Sequence, residues 1–392
     1  MKKVVLAYSG GLDTSVAIHW YRQRGYEVVA YMADVGQEKT TTAAIHRAKV
    51  AGASKVVVKD LKKKFATDYI WPALKANAIY EGRYVLATAL SRPLIAAEQV
   101  AVAHAENATS VAHGCTGKGN DQVRFEVTIQ ALDASLEILA PVREWEFKSR
   151  DAEIEYALKH GIPIDVSKKS PFSIDKNIWG VSVEAGVLED PNFEPPQDSF
   201  QWTRGAEKRN LKERVIEIGF EKGVPVSLDG RKKQPLALIA ELNALGASYG
   251  IGRMDMIENR LVGIKSRETY ESPAATILLA AHQDLESLVL DRELLHYKQG
   301  VSQKYAELVY YGLWFTPLRS ALDAFVNDTQ KKVTGTVRVK LRKYSAHVVG
   351  RRSPYSLYKE KLATYSAKDE FDQRLAKGFI DLWALPYRSD NR

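Results

Sequence analysis

Close to the start of the chain, Tyr8–Ser15 reads YSGGLDTS. Two adjacent glycines, Gly10 and Gly11, stand among the hydroxyls of Ser9, Thr14 and Ser15 and the carboxylate of Asp13. A short apolar run precedes the stretch and a helical pattern follows it, so it occupies a strand-to-helix turn. Successive backbone N–H groups at such a turn form an anion-binding concavity, and the helix N-terminus adds partial positive charge. Glycine lets phosphate oxygens approach the backbone with no Cβ in the way. Each helix-terminus contact is worth about 0.3–1 kcal/mol, and several can converge on one diphosphate. Helix capping by itself needs only one Ser, Thr or Asp. The Walker pattern G-x-x-x-x-G-K-[ST] and the dinucleotide pattern G-x-G-x-x-G are both absent here.

A second polar stretch, HGCTGKGNDQVRFE, runs from His113 to Glu126. Gly114, Gly117 and Gly119 give a close-approach loop, and Thr116, Asn120, Asp121 and Arg124 present polar groups across the first turn of a helix. Asn120, a candidate N-cap, and Arg124 are four apart and share a face. A carboxylate, an amide and a guanidinium on one turn suit a zwitterionic amino acid. Cys115 is the single cysteine, which excludes a disulfide framework, a cysteine-built zinc site and a paired-cysteine redox centre within one chain. It reads as a small residue in a tight loop. His19, His46 and His104 lack metal-ligand spacing. Arg338, Lys340 and Arg342 alternate along a strand near Arg351 and Arg352, and read as a solvated hairpin face rather than a nucleic-acid surface.

The elements that must position these stretches alternate in the first half. Strands are expected at Lys3–Ala7, Glu27–Ala33, Ser54–Asp60, Ser110–Gly114 and Leu136–Pro141. Helices are expected at Thr14–Arg24, Thr41–Ala51, Ser91–Ala105 and Asp121–Leu132, with helical segments up to about Ile79. That order implies parallel strands with right-handed crossovers, hence a doubly wound α/β sheet whose ligands bind at the strand carboxyl ends. After about Gly161 the pattern changes. SKKSPFSIDKNIWGVSVEAGVLEDP reads as polar loop, and EDPNFEPPQDS as an extended connector. Hairpins are expected over 214–230 and 334–352. Helices are expected near Pro235–Gly246, Ala274–Val289, Leu294–Tyr311 and Pro317–Asn327. An amphipathic tail helix over 367–386 would carry Phe371, Leu375, Phe379 and Leu382 on one face.

The 392 residues are 45% hydrophobic and 27% charged with a net charge of +8, a composition for two or three globular domains with anionic partners. No apolar stretch approaches a membrane span, and no cleavage signal follows the first apolar run. The expected compartment is the cytoplasm, with no membrane and no nucleic-acid partner.

SGGLDTS resembles the SGG-x-D-[ST] loop of the PP-loop ATP pyrophosphatase superfamily, whose members cleave ATP between the α- and β-phosphates. AYSGGLDTS and GCTGKGNDQVRFE together resemble the two signature stretches of the argininosuccinate synthase family. EGRY, SPFSID, VSVEAG, IENR and SRETYESPA resemble further segments, so the likeness runs from about residue 3 to the tail helix. The resemblance implies a nucleotide-binding domain over 1–165, an α+β synthetase domain over 166–360 and a helical oligomerisation arm over 361–392 in a homotetramer. It implies ATP with Mg²⁺ as co-substrate and no prosthetic group. Contacts to ATP would come from Ala7, Tyr8, Ser9, Gly10, Gly11, Leu12, Asp13, Thr14, Ser15, Ala33 and Gly114. Tyr84, Asn120, Arg124, Ser173, Ser182, Glu258 and Tyr270 would bind citrulline, and Thr116, Asn120 and Asp121 aspartate. Asp13 and Asp121 are the candidate catalytic carboxylates; no metal ligand is assigned. Ala89 stands where some members carry Ser. Other readings of the PP-loop are an RNA-modifying enzyme, opposed by the single cysteine, and a nucleotide-binding scaffold, opposed by the intact second loop.

Overall fold

The computed structural model describes residues 2–37, 42–163 and 172–389. The expected helix start at Thr41 and the expected domain boundary at 165/166 lie outside the described residues. Strands β1 (Lys2–Ala7), β2 (Tyr26–Asp34), β3 (Lys55–Asp60), β4 (Ser110–His113) and β5 (Glu137–Leu139) form a parallel sheet in the order β3-β2-β1-β4-β5. Val4 and Leu6 of β1 pack into one core with Val16, Ile18 and Ala48, while Val5 faces the other with Leu94 and Val100. Burial on both faces explains why the central strands β1, β2 and β4 read as apolar runs. The chain winds outward from β1 to β3 and then returns to β4 on the other side of β1. The switch point therefore lies between β1 and β4, where the two glycine-bearing loops leave the sheet.

The helix Ala87–Ala105 starts four residues earlier than the sequence suggests. Its first free N–H groups, on Thr88 and Ala89, donate to the Tyr84 hydroxyl at 3.0 and 3.3 Å. A tyrosine preceding the helix thus does the work of an N-cap, and the added turn puts Thr88 and Arg92 on one face.

The second half holds two antiparallel sheets. Strands β6 (Ser173–Asn177), β7 (Gly180–Glu184), β8 (Arg214–Glu221), β9 (Val224–Leu228), β10 (Arg231–Lys232), β11 (Arg253–Asn259), β12 (Lys265–Glu271), β13 (Gly335–Arg342) and β14 (Ser345–Arg352) assemble as β11-β12-β7-β6 and β10-β9-β8-β13-β14. Both expected hairpins are present, and pairing of β8 with β13, Ile218 opposite Val337, merges them into one sheet. The stretch read as polar loop contains β6 and β7. Helices at Pro235–Ser248 and Pro273–Val289 pack on the strands β9, β13 and β14, and those at Arg292–Tyr310 and Pro317–Thr329 pack on each other and on helices of the first half. In the tail only Leu375–Trp383 is α-helical. Phe371 falls outside it, because the Asp369 and Asp372 carboxylates accept the N–H groups of Phe371 and Arg374 and divert the backbone into turns. No helix among the described residues is long and apolar enough to cross a membrane.

Candidate active site

Two adjoining cavities lie at the carboxyl edge of the parallel sheet. The larger, about 700 Å³, is lined by Ala7, Tyr8, Ser9 and Thr14 after β1, by Ala33 and Val35 after β2, and by Gly114, Cys115 and Thr116 after β4. The turn after β1 is held from within. Ser9 Oγ lies 3.1 Å from Thr14 Oγ1 and accepts the Gly11 N–H at 3.3 Å. Ser15 Oγ donates to the Gly11 carbonyl at 2.7 Å and meets the Tyr8 hydroxyl at 3.1 Å. Arg47 donates to the Gly10 carbonyl from outside the turn. Gly10 needs its glycine: φ is +81°, and an added Cβ would lie 3.0 Å from that of Ala44. Gly11 has an extended backbone, φ −78° and ψ 177°, that any residue adopts. Across the cavity, a Cβ on Gly114 would lie 2.8 Å from Thr14 Cγ2, so the two loops touch through that glycine.

The smaller cavity, about 150 Å³, is lined by all seven residues expected to bind citrulline: Tyr84, Asn120, Arg124, Ser173, Ser182, Glu258 and Tyr270. β11 and β12 carry Glu258 and Tyr270, β6 and β7 carry Ser173 and Ser182, and the helix Asp121–Leu132 brings Arg124. Glu258 is 2% exposed, and its carboxylate accepts the Tyr270 hydroxyl at 2.7 Å and the Tyr310 hydroxyl at 2.6 Å. Asn120 does not cap its helix. Its amide donates to Tyr310 Oη at 2.8 Å and its oxygen accepts the Leu261 N–H at 2.9 Å, tying the second polar loop to the other half of the chain.

Of the residues expected to bind aspartate, Thr116 lines the larger cavity, Asn120 the smaller and Asp121 both. Other predicted residues stand apart. Gly10, Gly11, Leu12 and Ser15 form the turn without lining either cavity. Asp13 lines neither; Glu153 of the helix Arg150–Lys159 is pushed up to about 8 by burial and by the Asp13 carboxyl beside it. Ala89 is fully buried and lines neither.

The family model described as "Arginosuccinate synthase N-terminal HUP domain" matches residues 3–163, and "Arginosuccinate synthase C-terminal domain" matches 172–389. The chain belongs to the argininosuccinate synthase family. The argininosuccinate synthase of Chlorobium phaeobacteroides (strain BS1) is 57% identical over 385 residues, 98% of this chain and 96% of that protein. That of Geobacillus kaustophilus (strain HTA426) is 58% identical over 385 residues, 98% of this chain and 94% of that protein. Membership of the argininosuccinate synthase family makes the chain an enzyme, a ligase.

The electrostatics of the site rest partly on residues the sequence did not single out. Burial raises the Asp121 carboxyl, but Arg92 at 2.8 Å and Arg124 at 3.0 Å outweigh it and hold the group at about 2. Burial raises Glu258 against the hydrogen bonds from Tyr310 and Tyr270. Glu268 is pushed up to about 8 by burial and by the carboxylates of Glu258 and Glu184. Burial also pushes the Cys115 thiol up, against a nucleophilic role. Tyr310 lies at a helix end, where the apolar periodicity marks it only as core. Arg92 was hidden by the helix start and Asp175 by the loop reading. An i,i+4 pairing of Thr88 with Arg92 was the available signal. No group of three or more His, Cys, Asp or Glu among the described residues is arranged to hold a metal ion.

Proposed function

We propose that the larger cavity takes ATP, the smaller takes citrulline, and the enzyme joins citrulline to aspartate through citrullyl-AMP. The observation that carries this reading is the wall common to both cavities, which includes Arg92, Gly119, Asp121 and Ser173. An α-phosphate in one cavity and a ureido oxygen in the other would meet there. A ureido carbon resists amine attack because its leaving group is poor. The ureido oxygen therefore attacks the α-phosphorus, the bond to the bridging oxygen of the β,γ-diphosphate breaks, and pyrophosphate leaves. The neutral α-amine of aspartate then adds to the ureido carbon and AMP departs with the transferred oxygen, leaving argininosuccinate. The Tyr8–Ser15 turn serves as a fixed cradle for the departing diphosphate, with Ser9 and Thr14 on the cavity wall. Mg²⁺ enters with ATP as part of the co-substrate.

Glu258 would meet the citrulline ammonium and Arg124 its carboxylate, with hydroxyls of Ser173, Ser182 and Tyr270 around them. Asp121, held near 2 by its two arginines, is a weak base. It orients the aspartate amine as a hydrogen-bond acceptor rather than removing its proton. Within this reading the chain divides into a nucleotide-binding domain, a synthetase domain and a C-terminal arm that pairs with other copies of the chain in a cytoplasmic homotetramer.

Citrulline labelled with ¹⁸O at the ureido position tests the chemistry. The label is expected in AMP, with none in pyrophosphate. Unlabelled AMP formed alongside argininosuccinate would refute adenylylation.

A further inference from the structure

Arg92 is a buried cation that joins elements from both halves of the chain. Its side chain is 16% exposed and leaves the helix Ala87–Ala105 one residue before Pro93. One terminal nitrogen lies 2.8 Å from Asp121 Oδ2 and also meets the Asp175 carboxylate of β6. Its Nε is buried with no protein partner. Arg92, Asp121 and Asp175 all line both cavities. The charged and titratable groups around this trio include Arg124 on Asp121, Cys115 beside Arg92, Glu184, Glu258, Arg260 and Glu268 in the smaller cavity and Lys176 in the larger.

We propose that Arg92 is a positioning residue for the aspartate half of the reaction: it keeps the Asp121 carboxylate aimed at the wall between the cavities and prevents Asp121 and Asp175 from sharing a proton. The proposal rests on the adenylylation reading above. The physical reason is the crowding of two carboxylates. With Arg92 between them both can stay ionised, although Asp175 is raised by burial even so. Without it, two half-buried carboxylates, their side chains 30 and 33% exposed, face one another with only Arg124 left on Asp121, and the pair holds on to a proton shared between them. A proton shared with Asp175 turns the Asp121 carboxylate towards Asp175 and away from the aspartate amine.

The test compares two reactions of the full-length enzyme across pH 6–9. Citrulline-dependent exchange of labelled pyrophosphate into ATP, with aspartate omitted, reads the first half. Argininosuccinate formation reads the whole. Arg92→Gln is expected to lose on the order of 10–100-fold more in ligation than in exchange. Its ligation rate relative to wild type should rise with pH, whereas relative exchange stays flat. Arg92→Lys, which keeps the cation, should remove that pH dependence. The double variant R92Q/D175N should remove it too, because the second carboxylate is gone; this variant carries the test if R92Q does not fold. Equal loss in both reactions, or a pH dependence that survives in the double variant, would overturn the role. A wild-type enzyme that ligates without supporting exchange would instead overturn the adenylylation reading, and this role with it.

Discussion

Gly114→Ala is the smallest change that tests how the two nucleotide-edge loops meet. The added methyl carbon would lie 2.8 Å from Thr14 Cγ2, closer than carbon atoms approach without something moving. Gly114 has no left-handed backbone to lose, so the cost is one of contact alone. Overpacking of this kind costs about 1–3 kcal/mol. If it falls on the Tyr8–Ser15 turn, it weakens ATP use by roughly 5–150-fold, at about 1.4 kcal/mol per tenfold. The assay is the KM for ATP in citrulline-dependent pyrophosphate exchange, with Tm as the control for global stability. The partner variant is Thr14→Ser, which deletes Cγ2 and keeps the hydroxyl that lies 3.1 Å from Ser9 Oγ. G114A is expected to raise KM for ATP, and T14S/G114A to restore most of it. A double variant as impaired as G114A would refute the contact argument. An unchanged KM in G114A would refute the inference that the loop after β4 supports the turn after β1.

Asp121→Asn should retain more of the citrulline-dependent pyrophosphate exchange than of argininosuccinate formation, because adenylylation does not need the aspartate amine; equal loss of both would move Asp121 out of that role. Deleting the chain after Ala367 should lower the mass measured by light scattering. Leu375, Phe379 and Leu382 are 70, 63 and 71% exposed in the isolated chain. Burying these and Phe371 against another copy is worth roughly 6–12 kcal/mol as an upper bound. An unchanged mass would reject the arm as an assembly element.

The parallel sheet was legible because its central strands are buried on both faces and carry unbroken apolar runs such as Val4-Val5-Leu6. The strands that carry half of the smaller cavity were not. In Ser173–Asn177 and Gly180–Glu184, alternate positions face a polar cavity, and in Arg253–Asn259 Glu258 alone does so. Ser173 and Asp175 leave Ile174 as the one apolar residue of Ser173–Asn177, whereas Val181 and Val183 keep the alternation of Gly180–Glu184 on the face opposite Ser182. The helix starts at Asp121, Pro235 and Pro317 were read correctly, but others were missed. Leu294 carries the expected periodicity, but the helix begins at Arg292 under the cap of Asp291, whose carboxylate accepts the Leu294 N–H at 3.0 Å. Ala87 is supported by a hydroxyl that pattern reading assigns to the segment before it.

The sequence by itself determined the family and the turn after β1, because Gly10 with its φ of +81° and the hydroxyls of Ser9, Thr14 and Ser15 act locally, within a few residues; Gly114 acts by contact with Thr14, far away in the sequence. The sequence also placed the seven residues of the smaller cavity by family register. Only the tertiary structure decided their electrostatics. Asp121 is held down by Arg92 from another helix, and Glu258 is bound by tyrosines 12 and 52 residues away. Burial and charge pairing depend on what the folded chain brings within about 3 Å, and spacing along the sequence does not encode that distance.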